Sequence, residues 1–115
     1  MNFEDVWKLV LRDTDISEHL LILYSLAVGL GAKIITEIGA GQSTFALTAA
    51  ANENKGEFYS MDLTTKESSL RLFPEGKGIL EKEPRYHQIQ GHSLEVKWDK
   101  MVDFFFLDSG HTYDL

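Results

Sequence analysis

Lys33-Ile-Ile-Thr-Glu37-Ile38-Gly39-Ala40-Gly41-Gln-Ser43-Thr44 passes from a β-rich run into a glycine turn, and the turn opens a helix-forming stretch from Phe45 to Ala51. Leu47, Thr48 and a cluster of alanines in that stretch permit close approach to a sheet. Gly56 ends it, and Glu57-Phe-Tyr-Ser-Met-Asp62 follows as a second strand. Strand, glycine turn, helix and strand in this order predict a parallel pair joined by a crossover helix.

Working outward, Tyr86 to Ile89 reads as a short third strand that runs into Gly91-His92-Ser93. Residues 63–84 are less regular. Thr64 or Thr65 can cap a helix through Leu70, Leu72 and Phe73, and Pro74, Gly76 and Gly78 stop it. A helical turn is expected around Leu94 to Trp98, and Val102-Asp-Phe-Phe-Phe-Leu107 is a fourth strand. That strand is apolar on both faces apart from Asp103, the pattern of an interior parallel strand covered by helices.

Upstream, Phe3, Val6, Trp7, Val10 and Leu11 fall at helical spacing over residues 4–12, which places them on one side of a short helix. Asp15 followed by Glu18 resembles a capping box that starts a second helix running to about Val28, with Gly29 and Gly31 at its end. Apolar residues on nearly every face of this second helix predict packing against both a sheet and another helix.

The whole is expected to be an α/β doubly wound parallel sheet with strand order 3-2-1-4. Residues 1–31 form helices packed on a domain of residues 32–115. Such a sheet leaves Val102 to Leu107 on an open edge, an aggregation hazard unless covered. The sequence is therefore expected to be the N-terminal portion of a larger sheet, or to assemble as a homo-oligomer in which a second chain pairs with that edge.

Composition narrows the function classes. The 115 residues carry a formal charge of -7 at pH 7, and the basic side chains Lys66, Arg71, Lys77 and Lys82 are interleaved with Glu67, Glu75, Glu81 and Glu83. Without a basic patch to displace counterions, nucleic acid is not an expected partner. Cysteine is absent, which excludes disulfides and thiolate chemistry. The longest apolar run, Leu20 to Leu30, is short of the roughly 20 residues that span a bilayer, and no basic stretch precedes it. No membrane partner and a cytoplasmic location are the resulting expectations.

The chemistry centres on Glu37-Ile-Gly39-Ala40-Gly41-Gln-Ser43-Thr44. Glycines at 39 and 41 let the backbone turn tightly and approach a ligand within contact distance. Asp62, about 20 residues on at the end of the next strand, is placed to accept hydrogen bonds from ribose hydroxyls. A nucleoside-containing ligand follows. A dinucleotide fold places a third glycine where Thr44 stands, and Glu37 beside the turn repels a pyrophosphate while suiting the cationic end of a sulfonium-bearing amino acid.

These residues resemble the first motif of class I S-adenosylmethionine-dependent methyltransferases, in the variant with Ser-Thr after the glycines. Val102-Asp-Phe-Phe-Phe-Leu-Asp108-Ser-Gly-His111-Thr-Tyr113 is similar to the strand-end motif of the small-molecule O-methyltransferase group that includes macrolide sugar O-methyltransferases and cephalosporin-hydroxylase-like proteins. Together the motifs span most of residues 33–115. The resemblance implies a Rossmann-like fold, S-adenosylmethionine as cofactor and a small-molecule methyl acceptor. It sets Glu37, Gly39, Ala40, Gly41, Ser43 and Thr44 around the methionine part of the cofactor, Asp62 on the ribose, and His92 and Ser93 beside the adenine. Relatives commonly carry an acidic residue where His92 stands. Asp108 then faces the transferred methyl group and, as in several relatives, holds a divalent cation such as Mg²⁺, with His111 as general base.

The chemistry of that pair stands without the family. Methylating an oxygen requires removing its proton or lowering its pKa, which a cation held by a carboxylate and a nearby imidazole both achieve. One carboxylate does not make a metal site, and the other acidic ligands of relatives lie beyond the following strand. Plainer roles compete: Asp108 as a helix cap or turn residue, His111 as a surface or packing residue, and His19, His87 and His92 as structural or exposed groups without mutual ligand spacing. Two further readings share the sheet, an NAD(P)-binding oxidoreductase and a noncatalytic nucleotide-binding or interaction module.

Overall fold

The computed structural model describes residues 1–11, 17–39, 42–62, 82–90 and 101–107. Two helices, α1 (Phe3–Val10) and α2 (Ser17–Gly29), precede β1 (Ile34–Ile38), α3 (Gln42–Asn54), β2 (Glu57–Asp62), β3 (Tyr86–Gln90) and β4 (Phe104–Leu107). The four strands form one sheet in the order β3-β2-β1-β4, and every pairing is parallel. This is the Rossmann-like α/β arrangement and strand order expected above. Asp15 and the Glu18 side chain of the expected capping box, and the helices expected near 64–73 and 94–98, lie outside the described residues.

Parallel pairing puts register partners on the same face of the sheet. Ile35 is opposite Phe58 and Phe104, and Glu37 is opposite Ser60 and Phe106. This face receives α3, which is buried from Ser43 to Ala51 because the sheet lies on one side of it and α1 and α2 lie on the other. Burial all round explains why α3 lacks the single apolar stripe of a surface helix. Phe45, Leu47, Ile35, Phe58, Leu20 and Val6 are the large side chains at the centre of this core.

The spacing located α1, and of its stripe Val6 is buried while Phe3, Trp7 and Leu11 are exposed, with Phe3 resting on the Tyr24 ring at 5.6 Å. Two expectations need correction. Helix α2 packs against both α1 and α3, with Ile22 and Leu26 exposed. Its apolar character therefore serves two helices, and α3 stands between it and the sheet. In β4, Phe104 and Phe106 pack against the core, while Phe105 is 52% and Leu107 is 63% exposed. The second face of that strand is open because the described helices cover only the first. No helix among the described residues is long and apolar enough to cross a membrane.

Two contacts fix the amino edge of the sheet. Helix α3 ends with Lys55 at φ 57° and the Gly56 N–H donating to Ala51 O at 2.8 Å. The chain then passes so close to β1 that a Cβ on Gly56 would lie 2.2 Å from the Lys33 carbonyl oxygen. The Asp103 carboxylate accepts from the backbone N–H groups of Lys33 at 2.8 Å and Ile34 at 2.9 Å, and the Asp103 N–H donates to Ile34 O at 2.8 Å. These hydrogen bonds lower the Asp103 pKa from its ordinary value.

Gly56→Ala forces backbone apart at this crossing and is expected to cost about 1–3 kcal/mol, the range for overpacking; a urea midpoint equal to that of the wild type would contradict it. Asp103 yields a pH prediction. Its folded pKa lies below the unfolded value of about 3.9, so its contribution is complete at neutral pH and is lost as pH falls below that value through the lower folded one. The stability gap between wild type and Asp103→Asn, followed by thermal melts, therefore narrows as the pH is lowered through this range. A gap independent of pH would show that the carboxylate charge contributes nothing.

Candidate functional site

The strands of a parallel sheet point the same way, so the ends of β1, β2, β3 and β4 at Ile38, Asp62, Gln90 and Leu107 lie on one edge. The chain leaves β1 for β2 on one side and returns as β4 on the other. A reversal of strand order at the carboxyl ends of the strands is the place where open α/β sheets bind ligands.

Gly39 sits at that point with φ 97°, a conformation that glycine adopts without steric penalty. Its N–H donates to Met61 O at 2.8 Å, which carries the β1–β2 pairing one step past the end of β1 and sets the turn beside Asp62. The backbone of Asp62 is the last residue of β2, as expected; its side chain lies outside the described residues. So do Ala40, Gly41, His92, Ser93, Asp108 and His111.

Beneath the turn is Glu37, fully buried on the α3 face. The Ser43 hydroxyl donates to Oε1 at 2.6 Å, and the Ser60 hydroxyl donates to Oε2 at 2.9 Å. The Thr44 hydroxyl also donates to Oε2. All three donors are themselves buried. Ser43 and Thr44 stand in the first turn of α3, where they were expected, with their hydroxyls turned to Glu37. Thr44 has a further role at the helix start: its carbonyl accepts the Thr48 hydroxyl at 2.7 Å.

Ser60 was not among the residues singled out in the sequence. Its signal is faint: one small polar residue in the apolar run Phe58 to Met61, whose partner becomes evident only when β1 and β2 are paired in register, Glu37 with Ser60.

The polar groups at the opposite edge are separate from this site. Glu57 accepts from Arg85 at 3.1 Å and contacts His87 Nε2 at 3.1 Å, and the His87 ring stacks on Tyr59 at 4.8 Å. His19 is exposed on α2. Among the described residues, no group of three or more His, Cys, Asp or Glu side chains is placed to hold a metal ion.

A model of a methyltransferase domain family matches residues 36–115. Among solved structures, the chain is similar in fold to the crystal structure of the SAH-bound methyltransferase PaMTH1 of Podospora anserina, with a TM-score of 0.67 and 16% sequence identity. That likeness covers 91% of this chain and 48% of PaMTH1, so the chain spans about half the length of that relative. No curated protein matches the sequence.

The Glu37 network carries a stability prediction. Glu37→Ala strands three buried hydroxyls and opens a void, and is expected to cost about 3 kcal/mol or more in urea unfolding, since hydrogen bonds to a charged group contribute about 1.5–3 kcal/mol each. Ser43→Ala, which removes one donor, is expected to cost about half as much. A Glu37→Ala loss below about 1 kcal/mol would show that the carboxylate does not organise this part of the fold.

Proposed function

The chain belongs to the methyltransferase domain family, and from that premise we propose that it binds S-adenosylmethionine across the carboxyl edge of its sheet and serves methyl transfer to an oxygen of a small molecule. The observation that carries the reading is the Gly39 turn, held to Met61 O by its own N–H, next to Asp62 and above the buried Glu37.

Each part suits that cofactor. The turn offers main chain without an intervening Cβ, and Asp62 follows on the adjacent strand, within reach of a ribose. The buried carboxylate behind the turn adds negative potential, which favours the ammonium and sulfonium of an amino-acid cofactor over a pyrophosphate. Thr44 is buried and bonded to Glu37, so a β-branched side chain fills the position where a dinucleotide site requires a glycine. That favours the methyltransferase over the NAD(P) reading.

When bound, S-adenosylmethionine supplies a methyl group on a sulfonium, ready for in-line displacement. The protein then has to align donor and acceptor and remove the acceptor proton. In the sequence Asp108 is the next residue after β4, which ends on this edge, and His111 comes three residues later. The reading gives His111 the proton, because an imidazole with an ordinary pKa near 6.5 accepts one near neutrality. Asp108 orients the acceptor. The acceptor oxygen and the small-molecule class rest on the resemblance of 102–113 to the small-molecule O-methyltransferase group. No step is assigned to Mg²⁺, for which Asp108 is the single ligand the sequence suggests.

Calorimetric titration of S-adenosylmethionine and of NAD into the protein tests this, with Asp62→Ala alongside. S-adenosylmethionine is expected to bind and NAD to give no heat. Losing one charge-assisted hydrogen bond to the ribose weakens the cofactor about tenfold to hundredfold. Preference for NAD would move the site to dinucleotide chemistry, and unchanged binding in Asp62→Ala would remove Asp62 from it.

A further inference from the structure

The segment between β1 and α3 is fastened to β2 at two adjacent residues. On the strand side, the Gly39 N–H is held by Met61 O at 2.8 Å. On the helix side, the Ser43 and Thr44 hydroxyls are held by Glu37, and Glu37 is in turn held by the Ser60 hydroxyl at 2.9 Å. Ser60 and Met61 are consecutive, and Asp62 follows them.

We infer that Ser60 is a positioning residue for the cofactor: through the Glu37 carboxylate it sets where the first turn of α3 stands relative to β2, and so the shape of the glycine turn between them. The inference rests on the cofactor reading above and adds to it a residue that itself touches no ligand. Ser60 is fully buried on the α3 face, as is Glu37, so its hydroxyl acts at the turn only through its acceptor.

The geometry is selective. A carboxylate has two oxygens and rotates about its own axis; Ser43 takes Oε1, while Thr44 and Ser60 share Oε2. Without Ser60 the carboxylate keeps its helix partners and loses the Ser60 bond to β2. The helix start and the carboxylate are then free to shift together against the strand that carries Asp62. The amino-acid end of the cofactor, lying on the turn, is affected by that shift. The nucleoside end, held by Asp62 from the strand itself, is not.

The test separates those two ends. S-adenosylmethionine and methylthioadenosine share the nucleoside and its sulfur, but only the first carries the amino-acid portion. In calorimetric titrations Ser60→Ala is expected to weaken S-adenosylmethionine about tenfold, the full worth of the Ser60–Glu37 hydrogen bond passed on to the turn, and to leave methylthioadenosine within about twofold. Ser60→Thr, which keeps the hydroxyl, restores the difference. Ser60→Cys, close in size with a weak donor, gives the same split should Ser60→Ala not fold. Equal weakening of both ligands, in step with a lower melting temperature, would reduce Ser60 to a packing residue and overturn the inference. So would unchanged binding of both. If the wild type binds neither ligand, the cofactor reading fails first and the inference falls with it; if the wild type binds both and the variants show no split, only the inference falls.

Discussion

A carboxylate withdrawn from water must find donors, and Glu37 finds them in three hydroxyls from two different elements. The cost of burying the charge is large, and an apolar side chain of similar shape would fill the volume with less penalty. Geometry is what the charge supplies. An apolar residue at this position would be satisfied by many arrangements of β1, β2 and α3, whereas two carboxylate oxygens are satisfied only when Ser60 and the first turn of α3 both approach them. The network therefore specifies how the crossover helix meets the sheet at the end where the chain has to turn. Alanine packing along the rest of α3 sets the distance of the helix from the sheet but is less directional.

The two faces of the sheet are unequal for a related reason. Register partners share a face, so Ile35, Phe58 and Phe104 form one apolar row under α3, and Glu37 and Ser60 form its polar end. Phe105 and Leu107 fall on the other face and remain exposed. The alternation along β4 is real, but both of its halves are apolar, a pattern that in parallel sheets accompanies helices on both sides. PaMTH1, of which the matched region covers 48%, has as much chain again outside the likeness.

Much of this was legible in the residues. The order of strand, glycine turn, helix and strand fixed β1, α3 and β2 closely: β2 has the bounds read from Glu57 to Asp62, and α3 extends the stretch read from Phe45 to Ala51 by a turn at its start and a turn at its end. Periodicity succeeded wherever it reports local geometry. For Phe3, Trp7 and Leu11 it gave the helix and not their exposure, because a helical stripe tells which side chains point the same way and not whether anything lies there to receive them. At the site, Gly39 and the strand-end position of Asp62 were legible, since turn geometry and strand ends are local. Ser60 was not, because its partner is 23 residues away and is selected by register. A one-residue slip would turn Ser60 to the opposite face.

Asp62 and Asp103 show how far residue type alone goes. Both are aspartates at strand ends, and both stand beside β1. Asp103 precedes β4, at the amino edge, and its Oδ2 accepts from both the Lys33 and Ile34 amides as β1 enters the sheet. Asp62 ends β2, at the carboxyl edge, where the neighbouring Gly39 N–H is already taken by Met61 O. Strand polarity thus separates their surroundings. At the edge where a strand begins, exposed amides recruit a carboxylate for the fold, as Asp103 shows. At the edge where Gly39 turns away, the sheet satisfies that donor within its own backbone, through Met61 O.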